Sequence, residues 1–179
     1  MYRIRLQKQE KEWLANPGNV LAVLLNQETG KRQSIRGHNI VTDKGDKYYA
    51  QMACGETPTD DFDATVGGLR LGSGTTPAPG KSDGDVITFL TGTGHALDST
   101  YERTADPDTD NTGAGVDIVT WRYSYLTSEG NANGINEGAV VDNRTTPTGA
   151  LCHFFFAAAF AKTSSDTLKV FVNHQMNGV

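Results

Sequence analysis

The feature that most constrains this chain is the stretch Ala150 to Ala161, ALCHFFFAAAFA, which carries no charge, no proline and no glycine. A membrane-spanning helix needs about 20 consecutive apolar residues, so the run is too short to cross a bilayer as a helix. Read as a strand, it alternates. Cys152, Phe154, Phe156, Ala158 and Phe160 fall on one face, and Leu151, His153, Phe155, Ala157 and Ala159 on the other. Burying each Phe is worth roughly 1.5–3 kcal/mol, so one face can anchor a sandwich core while the other calls for a second layer or a subunit. Left bare, an uncharged aromatic strand of this kind is an aggregation hazard. Its alanines and leucine also leave a helix open.

The rest of the chain leans towards strands. Twenty Gly among 179 residues, with many Thr, Asp and Asn, suit short strands joined by polar turns, and the length fits one domain. Asn19–Asn26 and Gln33–Val41 read as a hairpin around the turn Glu28-Thr29-Gly30-Lys31. Thr42 then caps a helix over Asp43 to Cys54, stopped by Gly55; Gly45 inside it costs about 1 kcal/mol relative to Ala. Thr65–Leu71, Val86–Leu90, Ile135–Val141 and Thr167–Asn173 read as further strands. The clearest is Asp117–Leu126, with Val119, Trp121, Tyr123 and Tyr125 on one side. The expected fold is mainly β, with one short helix.

Charge is segregated. The first 50 residues hold nine Lys/Arg and five Asp/Glu, a net of +4, and the remainder seven and sixteen, a net of −9, giving −5 overall. A basic start on an acidic body suggests docking on an acidic surface, such as a neighbouring copy. Nucleic acid is the weaker reading, because the basic residues are spread out and interrupted by acidic ones. Tyr2 to Leu14 alternates charges with apolar Ile4, Leu6, Trp13 and Leu14 and is broken by Asn16-Pro17-Gly18. We therefore expect residues 1–18 to be an arm, helical or extended, that lies on a partner, and residues 19–179 to form the sandwich. The start lacks an apolar signal core, which points to folding in a cytoplasm.

Motifs for chemistry are sparse. Gly80-Lys81-Ser82 invites comparison with a phosphate-binding loop, but Thr75 stands where the first glycine belongs, and Pro77 and Pro79 remove backbone donors. Asp106, Asp108, Asp110 and Asp117 echo the spacing of a helix-loop-helix calcium loop. Asn111 replaces its glycine and Asp117 its bidentate Glu, so a solvated loop is the plainer reading and weak calcium binding the alternative. Cys54 and Cys152 have no metal or redox spacing and read as buried thiols, with a disulfide as the other option. The four histidines are scattered, and His153 on the apolar strand reads as a satisfied core histidine. Neither catalysis nor a cofactor is expected.

Three stretches carry a resemblance: Asn39 to Gly45 (NIVTDKG), Leu71 to Pro77 (LGSGTTP) with Asp83 downstream, and Asn133 to Val140 (NGINEGAV), followed by the Phe-rich strand and TLKVFVN. Over about residues 36 to 173 this order resembles a group of tailed-bacteriophage virion proteins, from which the chain departs in its acidic insertion and charged start. The resemblance implies a jelly-roll-like β-sandwich and a capsid decoration (cement) role, made in the bacterial cytoplasm and sited on the capsid exterior. Its expected partners are the major capsid protein and copies of itself, for example in a trimer, with neither nucleic acid nor membrane. The arm residues Tyr2, Ile4, Leu6, Trp13 and Leu14, with Phe155 on the strand, are the expected interface. A tail, neck or baseplate component is the alternative. A carbohydrate- or calcium-dependent host-binding module is another, which exposure of Trp121, Tyr123 and Tyr125 would favour.

Overall fold

A computed structural model describes residues 2–16, 18–63, 65–99 and 118–175. Its elements run α1 (Lys8–Leu14), β1 (Asn19–Asn26), β2 (Arg32–Val41), α2 (Asp43–Ala53), β3 (Gly68–Gly72), β4 (Ile118–Tyr125), β5 (Ala132–Val141), β6 (Ala150–Lys162) and β7 (Asp166–Gln175). All strand pairs are antiparallel, and they join in one curled sheet of order β3-β5-β6-β2-β1-β7-β4, a mainly-β, sandwich-like fold. The Phe-rich run is therefore a strand, set in the interior of the sheet.

Curling buries one face of every strand in a shared core. Val20, Leu24, Leu71, Phe154, Phe156 and Val170 meet there with Trp121, Tyr123 and Tyr125. The helix α2 lies on this core, with Tyr48 edge-on to Phe62 and Tyr49. The two outer strands, β3 and β4, are bridged by residues 93–98. Leu69 and His95 exchange backbone hydrogen bonds of 2.9 and 2.8 Å, Asp98 N donates to Arg122 O, and Tyr125 Oη donates to Thr93 O. The ribbon edge that would otherwise offer unpaired backbone groups is thus partly closed.

Four expectations need correction. The start of the chain is not a detached arm: Ile4, Leu6 and Leu14 are buried against Leu21, Val23, Leu25 and Phe171 on the outer face of β1 and β7. The reason lies in β1, NVLAVLLN, which is apolar on both faces and takes its own N-terminal segment as cover. Among the described residues there are two helices rather than one, since α1 forms within that segment. Val86–Leu90 is not a strand; only Phe89 bridges to Gly72, because the amides of Ile87 and Thr88 are taken by a carboxylate instead of a ladder. The cysteines are both free, and Cys54 is exposed while Cys152 is buried, its thiol pushed up to about 12 by desolvation.

Candidate assembly surface

Two places on the outer face of the sheet combine features beyond packing: a buried polar centre under residues 73–90, and an open stretch of β6.

The polar centre begins with register. Gly72, Glu137 and Phe155 lie side by side across β3, β5 and β6, and Arg70, Ala139 and His153 form the next row. Glu137 is fully buried. Its Oε1 accepts from Gly74 N at 2.6 Å and Thr88 N at 2.9 Å, and its Oε2 accepts from Ile87 N and faces His153 Nε2, each at 2.9 Å. His153 Nδ1 lies 2.6 Å from Asp83 Oδ2, which also accepts from Gly80 N. Beside them Arg70 Nε sits 2.9 Å from Asp85 Oδ1, and its guanidinium lies 3.6 Å above the Phe89 ring.

Electrostatics follow from this geometry. Burial tends to lower the His153 pKa, but its hydrogen bonds to Glu137 and Asp83 outweigh that and raise it. Burial likewise tends to raise Glu137, and the His153 contact with the three backbone amides pulls it below the usual carboxylate value. Both imidazole nitrogens and both Glu137 oxygens are engaged. A general base needs a free lone pair within reach of a substrate proton, so this arrangement serves as a clamp that ties residues 73–90 to the sheet. The glycines of LGSG are part of it: a Cβ on Gly72 or Gly74 would stand 2.4 or 2.5 Å from Glu137 Oε1.

The structure thereby brings together the sequence signatures behind the resemblance. Gly72 and Gly74 close on Glu137, which meets Asp83 at His153, and Thr42 N of the Asn39–Gly45 stretch donates to Leu151 O and Gly45 N to Thr42 Oγ1. Asp83 and Glu137 stood in those stretches without a role. Their pairing with His153 was not legible because it joins residues 70 and 16 positions apart.

The open stretch is different. The β2–β6 ladder ends at the Gly37–Phe156 pair, and β6 continues beyond it, meeting β5 at Ile135–Phe160 and Ala132–Lys162. Ala157, Ala158 and Ala159 are all exposed. Phe155 is half-buried, edge-on to His153, and with the exposed Ile40 and Ala78 and the half-buried Pro79 it lines a shallow groove of about 340 Å³. This is an uncharged strand segment with small, exposed side chains, set where the β5–β6 register shifts between Ile135 and Glu137.

The expected site residues are thus dispersed. Tyr2 is exposed, with its amide bonded to Gln27 Oε1 at 2.8 Å. Trp13 is half-buried, its Nε1 donating to Val20 O under the Arg36 guanidinium. Ile4, Leu6 and Leu14 are internal, while Phe155 borders the alanine segment. Asp106, Asp108, Asp110 and Asp117 lie outside the described residues. Trp121, Tyr123 and Tyr125 are buried in the core, so these rings form no platform for a sugar. Among the described residues, no helix is long and apolar enough to cross a membrane, and no group of three acidic, His or Cys side chains could hold a metal ion.

Compared with known proteins, the chain matches no family model, no curated protein and no solved structure.

Proposed function

We propose that this protein is a structural component of a tailed-bacteriophage particle, a capsid decoration protein that binds the outside of the head and joins its own copies across it. The observation that carries this reading is the open alanine segment of β6. Small, uncharged, exposed side chains let a neighbouring copy approach the sheet closely, and burying such apolar surface supplies affinity. The resemblance of Asn39–Gly45, Leu71–Pro77 and Asn133–Val140 to phage virion proteins supplies the setting. Repeated over a symmetric shell, such modest contacts hold neighbours through effective concentration. Because the N-terminal segment is anchored on its own sheet, we assign shell contacts to the β6 side rather than to a reaching arm.

Immunogold electron microscopy of purified phage particles, with antibody against the recombinant protein, tests the assignment. Label spread over the head is the expected result. Label confined to neck or tail moves the protein to a tail component, and an unlabelled particle beside a labelled control protein overturns the reading.

A further inference from the structure

The extended segment Tyr2–Leu6 lies across the outer face near β4 and β7 and forms one wall of a groove of about 470 Å³. Its side chains alternate. Ile4 and Leu6 are buried against the sheet, while Arg3 and Arg5 are exposed and line the groove with Lys169. Neither Arg3 nor Arg5 has a hydrogen-bond or ion-pair partner among the described residues. Nearby Asp98 is already engaged, by Arg122 Nε at 2.6 Å and by Ser124 N and Oγ. The rim is apolar, with Tyr2 and Leu126 each 54 % exposed.

From this geometry we infer that the groove is a docking site for an extended acidic segment of a partner protein with carboxylates at alternate residues. Side chains two apart on an extended chain share a face about 6.6–6.8 Å from one another, so Arg3 and Arg5 match an Asp-x-Asp spacing. Guanidinium forks bind carboxylates bidentately, and Tyr2 and Leu126 take the apolar parts of the intervening residues. A nucleic acid fits less well. The molecule carries a net charge of −5, so a long polyanion is repelled by the body beyond the groove. This inference stands on the groove alone and is independent of the assignment to a phage particle.

Fluorescence anisotropy tests it, using the full chain and a labelled synthetic peptide of alternating Asp and Thr. Wild type should bind at low salt and release the peptide as salt rises. The variant Arg3→Glu/Arg5→Glu should bind about tenfold more weakly or worse, with an unchanged melting temperature because both side chains are exposed. A peptide of the same composition with its Asp residues contiguous should bind less well than the alternating one. No binding by wild type, equal binding by the double variant, or tighter binding of a single-stranded oligonucleotide than of the peptide would each overturn the proposal.

Discussion

The two buried histidines show how neighbours decide what one residue type does. His153 sits between two carboxylates, whose hydrogen bonds raise its pKa against the opposing pull of burial, whereas desolvation pushes His174 down to about 3. His174 stays neutral, its Nδ1 hydrogen-bonded to Tyr49 Oη, which accepts from Trp121 Nε1. Since the folded pKa of His153 lies above its ordinary 6.5, its contribution to stability is complete below about pH 6.5 and fades as pH rises through the folded value. Glu137, lowered from 4.5, contributes fully above about 4.5 and fades as pH falls through its folded value. The clamp is therefore strongest between those two limits. His174 acts oppositely, because the unfolded chain binds a proton below 6.5 that the folded chain refuses, so it erodes stability on acidification. Histidine NMR titration should place His153 above 6.5 and His174 near 3; two ordinary titrations would refute the assignment. Glu137→Ala, which strands His153 and three amides, should cost about 3–5 kcal/mol in urea unfolding, and a loss below 1 kcal/mol would mean that the clamp is slack.

At the scale of elements, α2 reverses a propensity argument. Replacing a helical glycine by alanine ordinarily gains about 1 kcal/mol. Here the new Cβ of Gly45→Ala would stand 2.1 Å from the Leu151 carbonyl oxygen of β6. The variant should instead lose about 1–3 kcal/mol, measured by chemical denaturation, and a gain would show that the helix can retreat from the sheet. The N-terminal segment makes a similar point. Glu10 of α1 is buried, and it accepts from Gln7 N at 2.7 Å and from the side chains of Arg32 and Ser34 on β2. Deleting residues 2–16 uncovers Leu21, Val23, Leu25 and Phe171, each worth roughly 1.5–3 kcal/mol when covered. The truncated chain should melt more than about 10 °C lower and bind a hydrophobic dye. A detached arm would predict no change in either.

At the scale of the whole molecule, the curled sheet hides its aromatic face and bridges its outer strands, yet leaves Ala157–Ala159 of β6 exposed. Natural sheets guard such places with charge, and Ala157–Ala159 has none. In sedimentation velocity the wild type should self-associate with rising concentration, and Ala159→Lys should shift it towards monomer. Identical behaviour of the two would remove this segment as the assembly surface. Much of the architecture was legible locally: the Phe-rich strand, the β1–β2 hairpin, the Thr42 cap and the alternation around Trp121 all rest on period, turn and cap chemistry between near neighbours. What covers the second face of an apolar strand is a contact between distant segments, and alternation alone does not name the partner. For β1 that cover is the chain's own start; for Ala157–Ala159 the described chain supplies none. The sequence by itself therefore determined most of the strands, though not that Val86–Leu90 stays outside the ladder, and which face of each aromatic strand must be buried. Only the tertiary structure decided that Glu137 and Asp83 meet at His153, that Ile4, Leu6 and Leu14 turn inward, and that Arg3 and Arg5 flank a groove. The physical reason is that strand formation is set by residues within a few positions of one another, whereas these meetings depend on how the whole sheet curls.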